Sequence, residues 1–325
     1  MKKVVSNILR FLISFGVLGG LVYLIGLDRI IDNFRSVDPT LLLLAIGIFV
    51  VILVLMAFRW QILLVSQNHS PGYWKLLMFY FIGYFFNNFL PTAIGGDVSR
   101  AYYVGRANGN LPLSVGTVLF ERILGVLATL TLATISMIWV AKELDPAIIF
   151  TTAMVFGIVM VSMIVLLNPA LFSLCQRIFS KISIFSIGEK INSILESIHF
   201  YRNAKFAVLG GYLLSVTFQF LFVAMNYVLA QSLGLSQVTF IQLLLVIPIT
   251  FVMGLLPSVN GLGVRESGYV VLLANVFHSA TAGEAIALSL LNTSVPVLVS
   301  LAGGVMLLFY KHNNPAATAD TPPVP

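Results

Sequence analysis

Six stretches of this chain are apolar over roughly 20 residues or more, the length that a helix needs to cross the hydrocarbon core of a bilayer. Apolar residues make up 59% of the 325 positions, and charged residues only 9%. A soluble domain of this length could not bury so much apolar surface in one core, so we expect lipid as the surrounding solvent. The chain is therefore predicted to be an all-α polytopic membrane protein with six spanning helices. The predicted spans are residues 9–27, 41–58, 113–140, 147–167, 206–230 and 285–310.

The connections between these spans alternate between basic and acidic. Lys and Arg accumulate in the cytoplasmic loops of membrane proteins. The amino terminus and the connections 59–75 and 168–205 are basic, whereas 28–38 and 142–145 are acidic. This pattern predicts a multi-pass protein of the plasma (inner) membrane with both termini in the cytoplasm. It also assigns Arg59 to a cytoplasmic loop.

The chain is expected to form a single transmembrane domain, residues 1–312, followed by a disordered tail, 313–325. Within the domain, residues 168–205 are predicted to form an amphipathic cytoplasmic segment at the lipid headgroups. Cys175 is the only cysteine and the four histidines are scattered, so we expect no disulfide, no metal and no other cofactor. The net charge of +6 lies close to the membrane, which gives no reason to expect nucleic acid as a partner.

Two further apolar segments are too short for ordinary spans, and both end at a proline that is followed by glycines. Residues 76–90 stop at Pro91, and residues 243–256 stop at Pro257, which lies 166 positions later. The sequences around the two prolines share Leu, Pro, a hydroxyl residue, Gly, Val, Tyr and Val without a gap. We interpret this match as an internal repeat.

The charge pattern gives the two halves of the repeat, about residues 5–140 and 147–312, opposite orientations. If each short segment is a re-entrant hairpin, the first enters from the cytoplasm and the second from the outside. The prediction is an inverted repeat with two Pro/Gly-broken re-entrant hairpins, whose helix ends meet inside the membrane as in many transporters. The alternative is that both segments are kinked but complete, which gives eight or more full spans.

Ionisable residues cluster beside the two breaks, where a charge is costly unless it is paired or lines a cavity. The helices that begin after the glycines offer free N–H groups and a partial positive charge to an anion. Arg100 and Arg265 would add forked donors that suit a phosphate. The alternative is that Asp97 only caps its helix and that Arg–Glu pairs only lock the bundle. For the adjacent Glu121 and Arg122, we favour the interpretation that they form a structural pair.

Three acids are expected to neutralise three bases in this cluster, and side-chain amides near the breaks are expected to satisfy the broken backbone. The candidate substrate-binding residues are Asn87, Asn88, Gly95, Gly96, Asp97, Arg100, Glu121, Arg122, Asn260, Gly261, Gly263, Arg265 and Glu266.

Small and polar residues recur at helical spacing on three further faces, a pattern typical of helix–helix packing. The faces are also expected to point toward the shared cavity. They consist of Ser114, Thr117, Glu121 and Gly125, then Ser215, Gln219 and Asn226, and finally Asn292, Pro296, Ser300 and Gly303.

Three motifs occur in order along the chain: Asn87-Asn88-x-x-Pro91-x-x-x-Gly95-Gly96-Asp97-x-x-Arg100, Phe120-Glu121-Arg122, and Pro257-x-x-x-Gly261-x-Gly263-x-Arg265-Glu266. This ordered trio resembles the lysylphosphatidylglycerol synthase transmembrane-region family, also called flippase-like, over about residues 5–310. One departure is Asn260, where the family often has Gly, and it puts the shape of the second hairpin's tip in doubt.

The resemblance implies lipid translocation. In family members that are fused to a soluble aminoacyltransferase domain, the membrane unit looks like the part that moves an aminoacylated phospholipid between leaflets. Only a short Pro/Ala/Thr tail follows Tyr310 here, so we expect a stand-alone member that does not synthesise the lipid itself. The expected partner is a membrane phospholipid or lipid-linked substrate, and the resemblance does not identify which one.

Two other functions remain open. A membrane-embedded transferase would modify a lipid headgroup, and a non-catalytic partner would bind lipid for a separate lipid-modifying enzyme that docks on 168–205. The sequence contains no GxSxG, HExxH, Walker or dinucleotide-binding motif, which favours transport over catalysis. Transport would then be downhill or ion-coupled.

Overall fold

The computed structural model describes residues 37–89, 95–140, 146–179, 187–253 and 263–313. Nearly all of these residues are helical, and we number the helices in chain order. They are α1 (Pro39–Ser66), α2 (Tyr73–Phe89), α3 (Gly95–Asn108), α4 (Leu111–Val140), α5 (Pro146–Leu167), α6 (Pro169–Phe179), α7 (Ile187–His199), α8 (Lys205–Ser232), α9 (Phe240–Met253), α10 (Val264–Tyr269) and α11 (Ala282–Asn313). A 3₁₀ turn, Phe200–Arg202, precedes α8, and α10 continues as a π-helix over Val270–Val276.

Five of the described helices are long and apolar enough to cross a membrane, judged by length and composition. They are α1, α4, most of α5, α8 and most of α11. These helices correspond to five of the six predicted spans, and the remaining one, 9–27, lies outside the described residues. The all-α, multi-pass membrane architecture is therefore confirmed.

The prediction that Arg59 lies in a loop is wrong. α1 continues to Ser66 instead of ending at residue 58, and Arg59 lies in its interior with 3% of its surface exposed. The sequence suggested that the helix ends at residue 58, because Arg59 is the first charged residue after the apolar run. The helix continues because this charge has a buried partner, Glu121.

α1 and α8 lie side by side and run in opposite directions. At one end of the pair, the Asp38 N–H donates to the Ser232 carbonyl at 2.9 Å. At the other end, the Tyr201 hydroxyl, just before α8, donates to the Leu63 carbonyl at 3.4 Å. Bonds at both ends fix the relative height of the two helices in the bundle.

The shorter helices pack between the long ones. α2 lies against α3 and α11, while α9 lies against α10 and α4. The Asn108 side chain, at the end of α3, donates to the carbonyl of His69, just before α2. The α2–α3 pair therefore starts and finishes at the same end of the bundle.

Two helices, α6 and α7, occupy the segment that was predicted to be amphipathic. α7 packs closely on α4, because a Cβ atom built on Gly116 would lie 2.8 Å from the Cβ of Ser197. Phe120 stacks on Tyr201 with ring centroids 4.2 Å apart. These contacts hold the segment against the bundle, and its position at the headgroups stays a prediction.

Candidate functional site

A cavity of about 370 Å³ lies at the centre of the bundle. Its wall is formed by residues from the middle of α1, α4, α8 and α11 and by the buried ends of the short helices. The middle of a spanning helix lies near the middle of the bilayer, so the cavity is at mid-depth. Much of the wall is apolar, with Phe49, Phe218 and Phe222 among its residues.

Glu121 on α4 is the centre of the charged part of this wall. Its Oε1 lies 3.1 Å from Nη2 of Arg59, and its Oε2 lies 3.1 Å from Nη1 of Arg100. The Tyr80 hydroxyl donates to Oε1 at 2.8 Å. Arg59 also donates to the Ser215 hydroxyl at 2.8 Å. Three helices, α1, α2 and α3, thus bring groups to one buried carboxylate on α4.

Asp97, in the first turn of α3, links Arg100 to a further arginine, Arg122. Its Oδ1 accepts from Arg100 at 2.8 Å, and its Oδ2 accepts from Nε of Arg122. The Arg100 side chain is only 8% exposed, whereas that of Arg122 is 41% exposed. The ring faces of Trp60 and Tyr80 lie 4.9 and 4.0 Å from the Arg100 guanidinium carbon, which adds cation–π contact. Arg100 is therefore locked in the bundle, and Arg122 faces the cavity.

A second charged pair comes from α10. Nη2 of Arg265 lies 3.5 Å from Oε1 of Glu266 and donates to the hydroxyl of Thr293 on α11. Glu266 is fully buried and accepts from the Gly263 N–H at 2.6 Å and from the Ser289 hydroxyl at 3.2 Å. Among the described residues nothing accepts from Nε of Arg265, although that atom is buried. Arg265 therefore retains an unused donor at the cavity wall.

The charges of this site do not cancel. Four arginines face three carboxylates, counting Glu266 behind Arg265, and arginine is always protonated in proteins. Even with every carboxylate ionised, one positive charge remains in the described part of the site. The prediction of three acids with three bases is therefore wrong, and the reason is Arg59, which had been assigned to a loop.

The structure brings most of the predicted site residues together. Asn87, Asn88, Asp97, Arg100, Glu121, Arg122 and Arg265 line the cavity. Gly95 and Gly96 are buried at the start of α3, Gly263 and Glu266 are buried at the start of α10, and Asn260 and Gly261 lie outside the described residues.

The N–H groups that were predicted to be free at the half-helix starts are partly occupied. Oδ1 of Asn87 accepts the Gly96 N–H at 2.7 Å, and Glu266 accepts the Gly263 N–H. An amide at the break thus satisfies broken backbone, as predicted. Glu121 and Arg122 do not pair with each other, because adjacent residues on a helix point in different directions. Each binds another element instead.

Sequence reasoning missed Arg59, Tyr80 and Thr293 as members of the site. Arg59 could have been found, since it lies within helical reach of the apolar span that precedes it. Tyr80 is one of many aromatic residues in α2, and nothing in the sequence separates it from its neighbours.

The sequence profile of one protein family, described as the transmembrane region of lysylphosphatidylglycerol synthase, matches residues 7–304. The chain belongs to this family. The family resemblance stated from the three motifs is therefore confirmed, and the match includes every residue of the cavity wall.

Related proteins of this family occur in archaea. The chain is similar to a UPF0104 membrane protein of Pyrococcus horikoshii, with 26% identity over 319 residues, 89% of this chain and 92% of the relative. A UPF0104 membrane protein of Methanothermobacter thermautotrophicus is 25% identical over 310 residues, 83% of this chain and 84% of the relative. A third, from Methanocaldococcus jannaschii, is 28% identical over 125 residues, 38% of this chain and 37% of the relative.

Proposed function

We propose that this protein moves a lipid with an anionic headgroup between the two leaflets, through the central cavity. The cargo would be a phospholipid or a lipid-linked intermediate. The observation that carries the proposal is the unbalanced positive charge of the cavity. A net charge that the protein itself does not neutralise is costly inside a membrane, and an anionic headgroup would offset that cost.

Arg122 and Arg265 are the residues that we assign to the headgroup. Arg122 is the most exposed of the paired arginines, and Arg265 has an unused buried donor among the described residues. Guanidinium groups bind phosphate with charge-assisted hydrogen bonds, which are about twice as strong as neutral ones. Arg59 and Arg100 would contribute their charge while remaining bound to Glu121.

The apolar part of the wall supports a lipid as the ligand. Phe49, Phe218 and Phe222 line the same cavity as the charged groups. A fully hydrated small anion gains nothing from such a wall, whereas the glycerol and first acyl carbons of a lipid would be buried against it. The acyl chains themselves would remain in the surrounding lipid.

The pairing of helices supports a two-fold arrangement of the halves. When α1, α2, α3 and α4 are exchanged with α8, α9, α10 and α11, the α2–α11 contact becomes the α9–α4 contact, and the α1–α8 contact maps onto itself. This is the packing expected of an inverted repeat with two re-entrant hairpins. Rocking of such halves would expose a mid-depth site to each leaflet in turn.

Leaflet exchange of fluorescent lipids in proteoliposomes tests this function. We expect headgroup-dependent exchange by the wild type, and a rate about tenfold or more lower for Arg122→Gln and Arg265→Gln, because each loses a charge-assisted bond to the headgroup. Lys205→Gln is the matched control, since it removes an exposed cation outside the cavity. Its rate should equal that of the wild type.

Folded wild-type protein that exchanges no lipid would contradict the proposal. A lipid product of altered mass would then indicate a headgroup transferase. Copurification with a lipid-modifying enzyme would indicate a lipid-binding partner of that enzyme.

A further inference from the structure

A series of hydrogen bonds links two buried residues, Asn226 and Tyr269, to Asn292, which lines the cavity. Nδ2 of Asn226 donates to the Phe222 carbonyl at 2.8 Å, which leaves Oδ1 of Asn226 as the acceptor. The Tyr269 hydroxyl donates to this Oδ1 at 3.3 Å. Nδ2 of Asn292 donates in turn to the Tyr269 oxygen at 3.0 Å. Each donor in this series of hydrogen bonds has one acceptor. The bond to the Phe222 carbonyl determines the direction of donation in the whole series, because it fixes which atom of the Asn226 amide donates.

This direction fixes the orientation of the Asn292 amide. The Tyr269 hydroxyl donates its proton to Asn226, so the Tyr269 oxygen acts as an acceptor toward Asn292, and of the two polar atoms of that amide only the nitrogen can donate to it. Oδ1 of Asn292 must then point away from Tyr269. It is buried and accepts no hydrogen bond from the described residues, and Asn292 itself is 5% exposed and lines the cavity.

The unused acceptor of Asn292 and the unused donor of Arg265 belong to residues of the same cavity wall. Arg265 binds Thr293, the residue that follows Asn292 on α11, and its Nε has no acceptor among the described residues. The two atoms do not bind each other, since each is unpartnered. A ligand that satisfies both must offer an anionic oxygen and also an O–H or N–H group.

We infer that Asn292 is a specificity-determining residue that selects lipids whose headgroup carries a hydrogen-bond donor beside its phosphodiester. The phosphodiester binds at Arg265 and Arg122, and the hydroxyl or ammonium donor binds Oδ1 of Asn292. The inference rests on the proposed function in one respect, that a lipid headgroup enters this cavity. It adds a requirement that charge alone would not impose.

The size of the preference follows from the cost of an unsatisfied buried acceptor. A headgroup with a donor would give the buried Oδ1 of Asn292 a hydrogen bond, whereas a headgroup without one would leave this acceptor unsatisfied. The missing hydrogen bond is expected to weaken binding roughly tenfold relative to a donor-bearing headgroup of equal charge.

Competitive binding measured by native mass spectrometry on the purified full chain tests the inference. Two pairs of lipids with identical acyl chains and equal charge differ in whether the headgroup carries a donor: phosphatidylglycerol against phosphatidylpropanol, and phosphatidylethanolamine against phosphatidylcholine. We expect the donor-bearing member to bind roughly tenfold more tightly in at least one pair. A preference in the first pair identifies a hydroxyl as the donor, and a preference in the second identifies an ammonium.

Three variants assign the preference to Asn292. Asn292→Leu should bind both members of each pair equally. Tyr269→Phe frees the amide to turn, so the preference should shrink without disappearing. Thr129→Val is the matched control, because Thr129 lines the cavity but already donates to the Gly125 carbonyl at 2.9 Å, and it should keep the full preference.

Equal binding of both members of each pair by the wild type would overturn the inference, whatever the variants do. A preference that persists in folded Asn292→Leu would also overturn it. If Asn292→Leu does not fold, the wild type and Tyr269→Phe still decide. A binding preference without leaflet exchange would contradict transport but support the role of Asn292, and no lipid binding at all would contradict both.

Discussion

Glu121 determines whether the charge cluster is stable, because two guanidiniums and one phenol converge on it. Its side chain is 1% exposed, so bulk solvent does not screen the charges of Arg59 and Arg100, and Glu121 must balance them. A buried ion pair adds little compared with apolar packing, but removal of one partner leaves an uncompensated charge. Substitution of one residue of the cluster alone is therefore expected to destabilise the protein, because it leaves the charge of its partner uncompensated.

We expect Glu121→Gln to destabilise the protein by about 3–5 kcal/mol, the usual cost of removing one partner from a buried pair. The glutamine keeps the shape and the bond from Tyr80 but loses the charge opposite two arginines. Thermal unfolding in detergent measures the change. Lys75→Gln, on the exposed surface of α2, is the control and should shift stability by less than about 0.5 kcal/mol. Equal unfolding temperatures for the two variants would show that Glu121 does not hold the cluster.

The residues of the cavity wall that the sequence singled out are those where a charge interrupts an apolar background close to a backbone break. Asp97, Arg100 and Arg265 were found in this way, and all three line the cavity. The partners of these charges were not predictable, because pairing depends on which helix faces lie opposite each other. Asn292 belonged to a face expected both to pack against other helices and to point toward the cavity, and the structure places it at the wall.

At the scale of helices, close packing depends on single glycines. A Cβ atom on Gly303 of α11 would overlap the backbone carbonyl of Phe81 on α2. Backbone cannot move aside as a flexible side chain can, so α2 and α11 can lie this close only with glycine at position 303. Small residues allow the same kind of approach in many membrane bundles.

Gly303→Ala should therefore push α2 away from α11 and destabilise the protein by about 1–3 kcal/mol, the usual cost of overpacking. Gly210→Ala on α8 is the matched control, since a Cβ there meets no atom within 4 Å. Alanine is the better helix former, so Gly210→Ala should be neutral or slightly stabilising. Chemical or thermal unfolding of both variants gives the comparison. A Gly303→Ala variant as stable as Gly210→Ala would contradict the close contact.

The long helices were predictable because a run of about 20 apolar residues has few alternatives to a membrane span. The end of α1 was not predictable, because the apolar run ends at Arg59 although the helix continues to Ser66. The packing of α7 on α4 was also beyond the sequence, because it depends on Gly116 meeting Ser197 from a distant part of the chain.

At the scale of the whole molecule, helices from both halves of the chain line one cavity. In an inverted repeat with two re-entrant hairpins, the α2–α3 pair enters and leaves on one side of the membrane, and the α9–α10 pair does so on the other. The sequence predicted this from charge alone, and the bond between Asn108 and His69 supports it for the first pair.

Single cysteines in a Cys175→Ala background test this topology with a membrane-impermeant maleimide. We expect Ser70→Cys and Ala107→Cys to react from the cytoplasmic side, because they flank α2 and α3 at one end of the bundle. Gln237→Cys and Thr281→Cys, which flank the second pair, should react from outside. Reaction of positions 70 and 107 from opposite sides would instead support complete spans.

Filling the cavity without changing its charge tests directly whether lipid passes through it. Val126 of α4 lines the cavity, whereas Ile138 of the same helix is 75% exposed on the outer surface of the bundle. We predict that Val126→Trp lowers leaflet exchange of an anionic lipid to the rate of protein-free liposomes, and that Ile138→Trp leaves the wild-type rate unchanged. Wild-type exchange by folded Val126→Trp would show that lipid does not pass through this cavity.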